Sequence, residues 1–259
     1  MAGSPPEHGT ALVTGASSGI GEQFARQLSA RGHDLILVAR RRDRLVALAA
    51  ELPGPAQVIE LDLATEADQL AARVEGMGLE VELLVNNAGF GLNGPFVELD
   101  GAGQAEEVRV NCEAVVALTH AFVPSMVRRG HGGVIIVAST AGMQPIPYEA
   151  VYAATKAFAR SFSDALHTEL RGTGVRVLAV NPGPVPTEWQ EVAGVSSTGV
   201  VPGVIDAEQC VREALEAYDR GSRSIIPGRV VRWFLRASAP APRGLQLRVT
   251  ERLYRHRRG

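Results

Sequence analysis

Six times along the chain a short apolar run gives way to a helical pattern. The runs are ALVT (11–14), DLILVA (34–39), QVIEL (57–61), ELLVN (82–86), GVIIVAS (133–139) and VRVLAV (175–180). They show little of the polar–apolar alternation of a half-solvated sheet, so they predict strands buried on both faces, as in a parallel sheet covered by helices. The segments 19–31, 43–52, 66–76, 104–129, 150–171 and 206–219 carry apolar residues at helical spacing. Ile20, Phe24 and Leu28 are one such stripe, and Gly32 stops it. RSIIPG (223–228) offers a seventh strand. The rhythm predicts an α/β fold: a single doubly wound Rossmann-type domain, its parallel seven-stranded sheet flanked by helices. A length of 259 residues suits one such domain over 10–228. Residues 1–9 read as a flexible N-terminus. The Gly/Ser/Pro-rich stretch 182–204 reads as a loop or lid.

The first strand runs into Thr14-Gly15-Ala16-Ser17-Ser18-Gly19-Ile20-Gly21 and then a helix. Glycines let the backbone turn tightly against a ligand, and the N–H groups and positive end of the helix attract a pyrophosphate. Glycine spacing alone is weak; strand, glycines and helix together at the head of a βαβ series are much stronger. At the end of the second strand an acid would accept from the ribose 2′-OH of NAD. The chain reads Ala39-Arg40-Arg41-Arg42 there, with no acid before Asp43. Arginine suits a 2′-phosphate, so NADP(H) is the expected cofactor, with Arg40 its phosphate partner.

Tyr152 and Lys156 are four residues apart in a predicted helix and share a face. A phenol of pKa near 10 is a poor base at neutral pH, and an adjacent ammonium stabilises its phenolate. Ser139 ends the fifth strand, at the sheet edge where ligands bind, and its hydroxyl can donate to a carbonyl oxygen. Taken alone, a Tyr-x-x-x-Lys pair is ordinary helix surface. The preceding dinucleotide turn and the serine argue otherwise. So does one fact of composition: of 26 basic residues only Lys156 is lysine. A site that needs a compact ammonium rather than a planar fork is where arginine would be refused.

These residues resemble the short-chain dehydrogenase/reductase superfamily over about residues 10–227. The resemblance rests on TGASSGIG (14–21), Asp62, NNAG (86–89), Asn111, Ser139, Y152-A-A-T-K156 and N181-P182-G183-P184-V185 with Thr187. It implies that Tyr152 is the general acid in reduction or base in oxidation. Lys156 would lower its pKa and hold the nicotinamide ribose, and Ser139 would orient the carbonyl. Asn111 would distort its helix and hold a water feeding a proton relay. Ser17, Ser18 and Ile20, with Gly15, Gly19 and Gly21, would meet the phosphates. Asp62 and Leu63 would contact adenine, and Asn87, Ala88 and Gly89 the ribose side. Pro182, Gly183, Val185 and Thr187 would hold the carboxamide. LILVARRRDRL is similar to the stretch in NADPH-preferring members. Cys112-Glu113 departs from the small or apolar residue many members carry after the asparagine, with no expected consequence.

The resemblance builds the substrate pocket from Met143, Gln144, Pro145, Ile146, Pro147, Tyr148 and Trp189, with Phe90 and Leu92. That lining is mostly apolar and fits a lipophilic carbonyl or alcohol, 3-oxoacyl or steroid-like, better than a sugar. Residues 229–259 hold nine arginines and one glutamate, a formal +8, leaving about −10 for the rest of a chain whose net charge is −2. This basic C-terminal extension is expected to pack on the domain and seal the pocket. It could instead be solvated or oligomer-facing, or touch anionic lipid or an acidic acyl carrier.

The near-neutral charge and the absence of an aromatic-interleaved basic groove speak against nucleic acid. Six scattered histidines and the isolated Cys112 and Cys210 predict neither a metal site nor a disulfide framework. No basic-then-apolar leader opens the chain and no run suggests a membrane span, so the cytoplasm is expected. The helices at 104–129 and 150–171 resemble the pair that family homodimers and homotetramers bury. The rival from another class is a catalytically weak NADP(H)-binding sensor or interaction protein. The complete Asn111–Ser139–Tyr152–Lys156 set argues against it.

Overall fold

A computed structural model describes residues 9–186, 203–238 and 242–255. Seven strands form one all-parallel sheet: β1 (Thr10–Thr14), β2 (Asp34–Ala39), β3 (Ala56–Glu60), β4 (Val81–Asn86), β5 (Gly132–Val137), β6 (Val175–Val180) and β7 (Ser224–Ile225). Their order is β3-β2-β1-β4-β5-β6-β7. The chain builds outward from β1 to β3, then returns to place β4 on the other side of β1. That reversal opens a crevice above the carboxyl ends of β1 and β4, the usual ligand position in such sheets.

Alternate residues of each central strand feed two cores. Leu12, Ile36, Leu84 and Ile136 face one layer, formed by α3 (Leu70–Gly76), α5 (Ala114–Arg129) and α6 (Ala150–Glu169). Val13, Leu37, Val85 and Ile135 face the other, formed by α1 (Gly19–Ala30), α2 (Arg42–Glu51) and α7 (Ala207–Asp219). Burial on both faces is why these strands read as unbroken apolar runs. The edges are the exception: β3 is half exposed, and β7 shrinks to two residues.

The expected 104–129 helix is interrupted. α4 (Gly101–Val108) passes through a π-helical turn, Arg109–Glu113, before α5 begins. Asp100 caps α4 by accepting from the Gly103 N–H at 2.8 Å. By length and composition alone Gly101–Arg129 could span a membrane, its most apolar stretch having a mean hydropathy of 1.3. Half of its apolar window is buried in the fold, where Leu118, Phe122 and Met126 pack on the sheet. The basic tail forms α8 (Arg229–Ser238) and α9 (Arg243–Arg255).

Candidate active site

The glycine turn leaves β1 as an S-bend. Gly15 has φ +66° and Gly19 φ +58°, the left-handed region that glycine adopts without strain. A Cβ on Gly15 would stand 2.9 Å from Ala88 Cα, and one on Gly21 would collide with the Gly15 carbonyl oxygen. Close packing of the turn on α1 and β4 therefore demands both glycines. Ser18, the residue before α1, makes no side-chain cap. The first-turn N–H groups of α1 are left to face the crevice, as a pyrophosphate site requires.

The NNAG segment is tied to this turn. Thr14 Oγ accepts from the N–H groups of Asn87 and Ala88, each at 3.0 Å, and donates to the Val85 carbonyl at 3.1 Å. Asn87 Nδ2 donates to the Thr14 carbonyl at 2.8 Å. Asn86 points the other way and donates to Thr119 Oγ at 3.0 Å, pinning β4 to α5. The two asparagines thus fix the crevice wall from both sides.

The arginine cluster divides its work. Arg40 is largely exposed and lies 3.3 Å from Glu106 and 4.0 Å from Asp62. Arg41 folds over the glycine turn and donates to Ser17 Oγ and Ser18 Oγ, both at 2.9 Å. A guanidinium and two hydroxyls thus converge at the end of β2, with Arg40 next to them on the side of Asp62 and Glu106. Asp62 Oδ1 accepts from the Ala64 N–H at 2.9 Å, and Leu63 is buried.

Ser139 lies two residues beyond the end of β5, not within it. Its Oγ accepts from the Ala141 N–H at 3.0 Å and caps a 3₁₀ turn, Thr140–Met143. Gly142 in that turn presses directly on the Lys156 backbone: a Cβ there would stand 2.5 Å from the Lys156 carbonyl carbon. This contact packs the turn that Ser139 caps onto the face of α6 that carries Lys156. On that face the Lys156 ammonium lies 5.8 Å from the centroid of the Tyr152 ring. Lys156 is buried and donates to the Val137 carbonyl at 3.0 Å. Desolvation lowers its pKa from 10.5 to about 8, against the opposing pull of Cys112 and Glu107. At neutral pH it remains mostly an ammonium.

Asn111 sits in the π turn. Its Nδ2 donates to the Phe90 carbonyl at 2.8 Å and to Thr155 Oγ at 3.0 Å, and its Oδ1 accepts from the Phe90 N–H at 3.2 Å. A Cβ on Gly89 would fall 2.8 Å from Asn111 Oδ1 and 3.1 Å from Lys156 Nζ. A side chain at Gly89 would therefore have to displace the Asn111 amide and crowd the Lys156 ammonium. Pro182 is buried, and its carbonyl accepts from the Thr140 N–H at 2.8 Å. Gly183 and Val185 follow it, while Thr187 and Trp189 fall outside the described residues. Thr14, Arg41 and Thr155 stood in motifs the sequence reading quoted but were given no role of their own there, and Glu107 was not singled out. Glu107 had a signal: a carboxylate on the stripe shared with Asn111, Ala114 and Leu118.

Fold and site together define a dinucleotide-binding oxidoreductase. The chain belongs to the short-chain dehydrogenase/reductase superfamily: the short chain dehydrogenase family model matches residues 9–206. It is 38% identical over 188 residues to the NADP-dependent 3-hydroxy acid dehydrogenase YdfG of Escherichia coli K12, covering 70% of this chain and 75% of that one. Among solved structures it resembles a short-chain dehydrogenase from Sphingobium yanoikuyae in complex with NADPH, at 36% identity and a TM-score of 0.79, covering 92% and 95% of the two chains. It also resembles a bulky-bulky ketone specific alcohol dehydrogenase from Comamonas testosteroni, at 32% identity and a TM-score of 0.77, covering 93% and 94%.

Proposed function

We propose that the protein is an NADP(H)-dependent reductase of neutral, lipophilic ketones, running in reverse on the matching alcohols. The observation that carries this reading is Tyr152 beside the buried Lys156 ammonium, with the turn that Ser139 caps packed on the Lys156 backbone through Gly142. NADPH, when bound, supplies the hydride. The chain does the rest. Ser139 holds the carbonyl oxygen, Tyr152 gives it a proton, and Lys156 stabilises the phenolate that remains. Asn111 fixes the Gly89–Phe90 loop alongside. The cofactor follows from the uncapped α1 terminus, the glycines no side chain can replace, and the basic end of β2.

Arg41, with Ser17 and Ser18, is read as the 2′-phosphate clamp, and Arg40 as its outer partner. Replacing both, Arg40→Asp with Arg41→Asp, is expected to weaken NADPH binding at least about 100-fold and leave NADH binding within about threefold. Fluorescence titration with both dinucleotides checks this. Equal losses for the two would defeat the assignment.

Charge narrows the substrate. Phe90, Leu92, Met143, Pro145, Ile146 and Pro147 are apolar, and 187–202 holds Glu188 and Glu191 with no basic residue. Nothing in these segments offers a carboxylate a cation. A neutral ketone is therefore favoured over a free 3-oxo acid. An aryl or alkyl ketone should show kcat/KM at least about tenfold above the acid of similar size, and the acid's methyl ester should recover the difference. A better rate on the free acid would reject this substrate class.

The tail is read as part of the domain. Val231 of α8 is buried and would lie 3.1 Å from a Cβ on Gly183, beside the site. Arg232 pairs with Glu213 of α7 at 3.3 Å. The exposed Val108, Val116, Val127 and Phe158 on α4, α5 and α6 suit a homo-oligomeric face.

A further inference from the structure

Glu107 is a buried acid that the mechanism above does not use. It lies near the end of α4, four residues before Asn111, and its relative exposure is 0%. Oε2 accepts from the Leu92 N–H at 3.3 Å. Oε1 is buried with no hydrogen-bond partner, and so is Gln104 Oε1 one turn earlier. Both residues border a cavity of about 30 Å³ that is also lined by Leu92, Tyr148, Ala150 and Val151. Two acceptors without protein donors, turned to an otherwise largely apolar space of that size, make a site for one or two waters. Asn111 and Glu107 hold successive parts of one loop, Asn111 at Phe90 and Glu107 at Leu92. The titratable groups facing Glu107 are Lys156 and Glu149 on the α6 side, Tyr148 across the cavity and Cys112 in the π turn.

We propose that Glu107 keeps a proton in reserve and returns it, through water in this cavity and the Asn111–Lys156 cluster, to the Tyr152 oxygen after each reduction. The inference rests on Tyr152 being the acid. When the Tyr152 O–H bond breaks, the proton goes to the substrate oxygen and a phenolate remains. The Lys156 ammonium passes it a proton, water replaces that proton on the amine, and the Glu107 carboxyl replaces the one lost by water. The carboxylate left behind takes a proton from solvent, so one solvent proton enters per turnover. Burial raises the Glu107 carboxyl from 4.5 to about 7, with Glu149 adding to the shift, while the Leu92 N–H and Lys156 oppose it. A group poised near the working pH gives and regains a proton with equal ease.

Glu107→Gln keeps the size and the acceptor for Leu92 but carries no transferable proton. It is expected to lower kcat about fivefold to tenfold at neutral pH, with KM and NADPH affinity unchanged. Its kcat profile should lose an inflection near pH 7, and its solvent deuterium isotope effect should grow. In the protein without cofactor, infrared titration should show a protonated carboxyl that ionises near pH 7 in wild type and is missing from Glu107→Gln. A folded Glu107→Gln with the wild-type kcat and pH profile overturns the relay. If Tyr152→Phe is inactive in the same assay, the assignment of the acid survives that failure. Should Glu107→Gln not fold, the wild-type infrared titration decides: a carboxyl ionising near neutrality supports the relay, and none overturns it.

Discussion

Tyr152→Phe is expected to lose about a thousandfold in kcat for ketone reduction, with NADPH affinity and ketone KM changed less than about threefold. Phenylalanine keeps the ring and its place beside the Lys156 ammonium, 5.8 Å from the centroid in the native site. Only the hydroxyl is removed. Positioned acid catalysis contributes roughly 10²–10⁴, or about 3–5 kcal/mol of barrier, and no neighbouring group replaces that donor at the carbonyl oxygen. Steady-state NADPH oxidation and fluorescence titration separate the two quantities. A variant that turns over at the wild-type rate would assign the proton to another group.

Lys156→Met is expected to lose at least about a hundredfold in kcat and, at the same time, to make the protein more stable. The second half follows from burial. The folded pKa of about 8 lies below the ordinary 10.5, so the unfolded chain holds this proton more tightly. Stability from this group therefore grows as pH rises from about 8 to about 10.5, and below about 8 the buried ammonium carries its full penalty, roughly 3 kcal/mol. Methionine fills the channel without charge but leaves the Val137 carbonyl without its donor, so the net gain at pH 7 is about 1–2 kcal/mol. Thermal melts at pH 7 and pH 10 check the sign: the gain should shrink at the higher pH. Lys156→Arg should stay inactive, because Gly89 and the Val137 carbonyl leave room for an ammonium and not for a fork. A lower melting temperature for Lys156→Met at pH 7 would show that the lysine is held for stability.

Much of this architecture was legible in the sequence. Strands buried on both faces announce themselves as apolar runs, and β2 and β6 fall on their expected bounds. The edge strands were harder to read. β7 is two residues long and pairs with β6 alone. The π turn at Arg109–Glu113 left no trace in the apolar pattern, since one extra residue in a turn leaves the stripe almost unchanged, and only the family resemblance pointed to a distortion at Asn111. Arg40 and Arg41 are chemically alike, and only the fold shows which of them reaches Ser17 and Ser18. Glu107 stood in plain view on a buried stripe. A carboxylate there reads as helix surface until the face it occupies is known.

The most direct test of the account is isotopic. The protein is supplied with NADPH deuterated at C4 and a bulky neutral ketone, and the alcohol is examined by mass spectrometry and NMR. The account predicts one deuterium at the carbinol carbon, from one face of the nicotinamide, and none at the hydroxyl after exchange. Tight NADPH binding with no labelled alcohol from any ketone tried would contradict it and leave a dinucleotide-binding protein without this chemistry.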